Sequence, residues 1–280
     1  MTHHTVEVLG RRTHYWTAGP AEGHVIVCIH GFRGTHHGLN DIAGFLPEYR
    51  LIIPDLPGFG RSEPLATDNH TIDAYGHWLQ TFVQTLSLEN IILLGHSMGS
   101  QVVAQALQCD PTVAQRVIFI NPIAEAATNL DQVKLAPVRA SVWLAAHAMP
   151  QRLGDTLLRH PWPTTVISRL MVTTHRQPLR RIIHQYHRRY MNQFAHPRQF
   201  AQLMSSSLKH GVVPVADKLT MPVLILAGDN DNIAPLSGQQ RLTGRLELSQ
   251  LVTLKGVGHL IHYERPAEAA THIKRFLDAV

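Results

Sequence analysis

Gly95-His96-Ser97-Met98-Gly99 sets a serine between two glycines, after the apolar run Ile91–Leu94 and before a helical stretch, Met98–Gln108. A strand that turns abruptly into a helix at the serine of G-x-S-x-G leaves its Oγ exposed at the sheet edge. Small residues at both ends permit the sharp turn, and a helix beginning at Met98 aims unpaired backbone N–H groups at the same point. The chemistry that suits this arrangement is nucleophilic catalysis by Ser97. Metal chemistry finds no such context. The pairs His3-His4, His36-His37, His184 with His187 and His259 with His262 lack the carboxylate or cysteine spacing of a zinc site. No metal and no cofactor is expected. Cys28 and Cys109 are the only thiols of the chain, too few for a disulfide scaffold. Cys28, within Val25–Ile29, reads as a small buried hydrophobe.

Short apolar runs alternate with amphipathic ones, the pattern of an α/β fold. Strands are expected at Val25–His30, Leu51–Pro54, Ile91–Leu94, Val117–Ile120, Val223–Ala227 and Leu251–Leu254. Several lack in/out alternation, as strands covered on both faces should. Helices are expected at Thr71–Leu86, Met98–Gln108, Gly238–Leu246 and Pro266–Ala279, and an opening hairpin turns around Gly10. From Pro122 to Val215 the rhythm breaks. Helical segments there are punctuated by prolines, and twelve Lys and Arg face three acids. That gives +9 in the insert and −4 in the remainder, within a net charge of +5 over 280 residues. The expected organisation is a core of 1–121 and 216–280 with a helical cap, 122–215, inserted. The helical stretch Leu179–Tyr190 carries Arg180, Arg181, Arg188 and Arg189, either a solvated face or an anion- or membrane-facing one.

With these elements around it, the serine motif resembles that of the α/β-hydrolase family, and the resemblance covers nearly the whole chain outside the insert. His30-Gly31-Phe32-Arg33-Gly34 follows a strand where that family carries an HG-x-x-G loop. The resemblance implies an oxyanion hole made by the N–H groups of Phe32 and Met98, since two preorganised donors stabilise a tetrahedral intermediate. Asp55–Ser62 looks like the family's D-x-x-G-x-G-x-S turn, read as structural. Gly228–Pro235 is similar to the G-x-x-D-x-x-x-P loop and implies Asp231 as the acid, with Asp229 the alternative. Gly256-Val257-Gly258-His259 resembles the loop bearing the histidine. The implied triad is Ser97, Asp231 and His259, with His259 moving the proton and Asp231 fixing its tautomer.

The resemblance implies a cofactor-independent serine hydrolase, with a carboxylic ester of a small or medium apolar acyl group as the expected substrate. A serine nucleophile disfavours the aspartate chemistry of dehalogenases and epoxide hydrolases. Leu260 stands where C–C bond hydrolases often carry Trp. A basic cap is a poor site for an amine, and it suits an anionic substrate better. Thioester, lactone or C–C cleavage on the same triad is the alternative reaction, and a slow ligand-binding sensor the alternative class. No nucleic-acid module accompanies the basic residues. No apolar run approaches the roughly 18–20 residues of a membrane span, and no signal peptide is apparent, so a cytoplasmic protein is expected.

Overall fold

The computed structural model describes residues 1–67, 69–127, 137 and 140–279. Strands β1 (Thr2–Val8) and β2 (Arg11–Ala18) form an antiparallel hairpin turned at Leu9 and Gly10. They lead into β3 (Val25–Ile29), β4 (Arg50–Pro54), β5 (Ile91–His96), β6 (Ala114–Ile120), β7 (Val223–Gly228) and β8 (Ser249–Leu254). The sheet order is β1-β2-β4-β3-β5-β6-β7-β8, parallel from β4 onward. Helices α1 (Asn40–Gly44), α2 (Ile72–Thr85) and α3 (Met98–Cys109) connect the strands of its first half.

Continuous apolar strands have a direct structural reason here. Val27 and Ile29 of β3, Ile91 and Leu93 of β5, and Val223 and Ile225 of β7 pack into one core, with Phe82 of α2 and Val102 and Val103 of α3. Their neighbours Ile26, Cys28, Ile92, Leu94, Leu224 and Leu226 pack into a second core on the opposite face. Successive side chains of a strand point to opposite faces, and both faces are covered, so every position must be apolar.

Between β6 and β7 the described residues form helices α4 (140–147), α5 (Gln151–Arg159), α6 (Pro161–Met171), α7 (Gln177–Tyr190) and α8 (Pro197–Ser207). The prolines start helices more than they break them: Pro161, Pro178 and Pro197 each stand in a first turn, where the missing N–H costs nothing. The imidazoles of His160 and His196 cap α6 and α8, accepting from Trp162 N and Gln199 N. Of the expected 122–215 insert, residues 128–136 and 138–139, with Asp131, Lys134 and Arg139, lie outside the described residues. On α7, Ile183 and His187 face inward, while Arg181, Arg188 and Arg189 are exposed.

The remaining helices are α9 (Leu236–Thr243), α10 (Ile261–Glu264) and α11 (Pro266–Asp278). Helix α9 begins two residues before the expected Gly238, directly after Pro235. Strand β6 begins three residues earlier than its apolar run, because Arg116 has a partner: its Nη1 donates to the carbonyls of Phe276 and Leu277 at the end of α11. A cation there satisfies carbonyls that the helix itself cannot. No helix among the described residues is long and apolar enough to cross a membrane.

Candidate active site

Ser97 occupies the turn between β5 and α3 with φ 53° and ψ −123°. Such a conformation in a residue with a side chain costs about 1–3 kcal/mol and persists only when its surroundings impose it. Here the imposition is visible. Ser97 N donates to Ile120 O, and Ser100 Oγ donates to Ser97 O. A Cβ at Gly95 would stand 2.8 Å from the Gly99 carbonyl carbon, and one at Gly99 would stand 2.2 Å from Ile29 O. Both glycines are required by close backbone crossing, which is why the serine is framed by them.

His259 Nε2 lies 2.8 Å from Ser97 Oγ, and its Nδ1 lies 2.7 Å from Asp231 Oδ2. All three residues are buried. A carboxylate carries no proton to share, so Nδ1–H donates to Asp231 and the unprotonated Nε2 accepts from the Ser97 hydroxyl. Asp231 Oδ1 accepts from Ile233 N at 2.8 Å and Ala234 N at 2.9 Å, which fixes the carboxylate plane. Asp229 is exposed and accepts instead from Gly256 N at 2.7 Å, tying the loop after β7 to the turn after β8. The structure therefore brings Asp231, and not Asp229, to His259.

The N–H groups of Phe32 and Met98 make no hydrogen bond to any described residue. Phe32 follows Gly31, where an added Cβ would come within 3.1 Å of Ser97 Cβ; Met98 is the first residue of α3. Two free donors thus flank the serine. The Asp55 turn is structural in its contacts: Asp55 accepts from His36 N, His36 Nδ1 and Arg61 N. Burial pushes its carboxyl up, but His36 and His30 outweigh that and hold it below the usual range.

Several residues around the site carried no signal in the sequence. Asn121, at φ 44°, donates from Nδ2 to Gly258 O and accepts at Oδ1 from Gly228 N, both at 2.9 Å. One amide so braces the loops of Asp231 and His259 against each other. Thr173, between α6 and α7, accepts from Gly258 N at 2.9 Å and donates to the buried Glu264 at 2.9 Å, while its own N–H donates to the other Glu264 oxygen. His96 has a ring nitrogen 3.1 Å from His259 O, and burial followed by the nearby His259 pushes its pKa down to about 3. Its position before Ser97 was a signal; the partner was not.

A cavity of about 50 Å³ adjoins Gly31, Phe32, His96 and Leu260. A larger one of about 700 Å³, beside Thr71, Trp143 and Lys209, includes no residue of the Ser97–His259–Asp231 cluster. Neither lining includes Ser97, His259 or Asp231; the smaller cavity is the candidate because its wall holds their chain neighbours His96 and Leu260 and the loop residue Phe32. No group of three metal-ligating side chains occurs among the described residues.

A family model described as the alpha/beta hydrolase fold matches residues 24–266. The chain belongs to the α/β-hydrolase fold family. It is 26% identical over 262 residues to an uncharacterized hydrolase, YugF, of Bacillus subtilis (strain 168), covering 90% of this chain and 89% of the relative. It is 23% identical to the human monoacylglycerol lipase ABHD6, over 91% of this chain and 75% of the lipase. Among solved structures, a bromoperoxidase from Bacillus anthracis superposes with a TM-score of 0.83 at 19% identity, covering 99% of both chains. An esterase from Exiguobacterium antarcticum gives 0.80 at 18% identity, over 98% of this chain and 99% of the esterase. These superpositions speak to the fold alone.

Proposed function

We propose that this hydrolase cleaves carboxylic esters of small or medium acyl groups through an acyl-enzyme on Ser97. The observation that carries the reading is the unbroken chain Ser97 Oγ–His259 Nε2 and His259 Nδ1–Asp231 Oδ2, at 2.8 and 2.7 Å. Ser97 Oγ attacks the ester carbonyl carbon as its proton passes to His259. The carbonyl oxygen, now an oxyanion, takes the free N–H groups of Phe32 and Met98, each such donor being worth about 10²–10³ in rate. His259 returns the proton to the departing alkoxide, then activates a water that releases the acid and restores Ser97. Asp231, buried and tied to two backbone donors, stabilises the imidazolium without itself accepting the proton.

Residues 122–215 serve in this reading as the cap. Support comes from contacts of that segment with the site's loops: Thr173 on Gly258, and Arg33 on Met191, Thr164 and Asn192. The aromatic cluster that Phe200 and Phe194 build onto Phe32 of the HG-x-x-G loop suits an apolar acyl stem. A fluorophosphonate probe tests the nucleophile. Labelling should fall on Ser97, and Ser97→Ala should abolish labelling and lower ester turnover by roughly 10⁴-fold or more. An adduct on another residue, or a Ser97→Ala protein that retains turnover, would overturn the reading.

A further inference from the structure

Arg33 is a residue the mechanism does not use. It follows Phe32 in the HG-x-x-G loop, holds φ 62°, and is only 6% exposed. Its Nε donates to Met191 O and one Nη to Thr164 Oγ1 and Asn192 Oδ1. All three are neutral acceptors. No carboxylate among the described residues pairs with it, and its second Nη makes no hydrogen bond to a described residue. These acceptors and the Phe200 ring, 5.2 Å from the guanidinium carbon, compensate its desolvation only in part, since no opposite charge faces it; burial draws its pKa down to about 10.

The same residue lines the 50 Å³ cavity beside the serine, and the described lining includes no acid. His30, His96, His187 and His262 also line it, and burial before all else pushes each below its ordinary value. At neutral pH Arg33 is the one full charge among the described residues of that wall. A second orphan shares the wall: His262, 3% exposed, has a buried Nδ1 with no hydrogen-bond partner. A buried cation without a counter-charge and a buried ring nitrogen without a hydrogen-bond partner thus share one wall. Gly31 lines this space and lies against Ser97, since a Cβ on the glycine would come within 3.1 Å of the serine Cβ, so the cavity adjoins the nucleophile without including it.

We infer that the cavity is an anion subsite for a carboxylate carried by the substrate, held by Arg33 and His262, so that the enzyme selects half-esters of dicarboxylic acids. The inference rests on the ester-hydrolase reading of Ser97. Size decides among anions. One water needs about 10–15 Å³ of such volume, so 50 Å³ holds a carboxylate and excludes the nucleotide phosphates of an acyl-CoA. The planar fork of a guanidinium matches the two oxygens of a carboxylate.

The test compares monoethyl glutarate with ethyl hexanoate, a neutral ester of similar length, by kcat/KM in one preparation. Wild-type protein should prefer the half-ester. Arg33→Gln should cut the ratio of the two constants by about 10–100-fold, the range for a lost hydrogen bond to a charged group. Arg33→Lys should restore part of it, and His262→Phe should lower it without touching the contacts that Arg33 makes to α6 and to the residues after α7. Because the readout is a ratio, loss of folded protein cancels. Equal wild-type constants, or a ratio unchanged by Arg33→Gln and His262→Phe, would overturn the inference and leave Arg33 a clamp between the loop and the helices. Calorimetry separates the two readings. Ser97→Ala should bind monoethyl glutarate and not diethyl glutarate, and the added Arg33→Gln should remove that difference. Binding that behaves so, where the wild-type protein hydrolyses neither ester, sinks the esterase reading and keeps the anion site. Equal binding of both esters sinks the anion site.

Discussion

Ser97, Asp231 and His259 sit in loops at the C-terminal edge of the sheet, buried and held by backbone donors and strained turns. Helices α4 to α6, by contrast, leave Trp143, Leu153, Trp162 and Leu170 between 57% and 73% exposed. The region of these helices and α7 reaches the site's loops through a few polar ties, at Thr173, Thr164, Met191 and Asn192. In the proposed function the two regions solve different problems. Reacting atoms need positions fixed to a fraction of an ångström, which rigid strands and crossed backbones provide. A region that admits substrate needs surface and a few anchors. Substitutions in the first region should therefore act on kcat, and those in the second on selectivity or stability.

The largest effect expected under this division falls on the acid. Asp231→Asn should keep the fold and lower kcat by about 10⁴-fold, because the amide favours the wrong histidine tautomer. Asp229→Asn, which still accepts from Gly256 N, should cost less than tenfold. Steady-state kinetics on one neutral ester measures both, and comparable losses would show that the loop acts as a unit.

Legibility in the sequence followed the same boundary. Strands β3, β5 and β7 were readable because burial on both faces forces continuous apolar runs. Ser97 was readable because a crossed backbone demands glycine at 95 and 99. Asn121, Thr173 and Arg33 were not, since their work depends on partners 107, 85 and 158 residues away. The start of β6 was hidden for a related reason: Arg116 looks like a loop residue until the end of α11 is placed against it. His160 and His196 as helix caps were missed because imidazole is an uncommon cap beside Ser, Thr, Asp and Asn.

Acid should expose the cost of the core's histidines. His96 is pushed down to about 3 and His187 to about 4, first by burial, and His262 is lowered as well. Below the unfolded value of 6.5 the unfolded chain binds protons that the folded chain refuses, so stability falls as pH drops from 6.5 towards 3–4. Every tenfold loss of proton affinity on folding corresponds to about 1.4 kcal/mol, so these histidines together cost on the order of several kcal/mol in acid. Urea unfolding at pH 7 and pH 4.5 measures it. His187→Phe should flatten the slope; an unchanged slope would mean that other groups carry it.

Thr173 lies on the boundary between the two regions. Thr173→Val removes the hydroxyl that pairs with Gly258 N and Glu264 while keeping the shape. Leaving those groups unpaired should cost about 1–3 kcal/mol in stability. It should also lower kcat for ethyl hexanoate with little change in KM, because Gly258 precedes His259. Thr173→Ser should recover both. A KM effect alone would make Thr173 part of the entrance and not a support of the histidine loop.

The smallest effect is expected on the outer face of α7. Arg181 and Arg188 are exposed, and Ile183 and His187 occupy the opposite side of the helix. A helix with its side chains is about 10–12 Å across. The Debye length at 0.15 M salt is about 8 Å, so charges on the outer face are largely screened before their field reaches the inner one. Reversing both to Glu lowers the net charge from +5 to +1. Each surface change should stay within about 0.5 kcal/mol in stability. The kcat/KM of monoethyl glutarate, measured at about 150 mM salt and above, where the Debye length is shorter than the helix is wide, should keep its wild-type value. A tenfold fall there, with ethyl hexanoate unaffected, would move the selection of anions from the single buried guanidinium of Arg33 to the field of the helix surface.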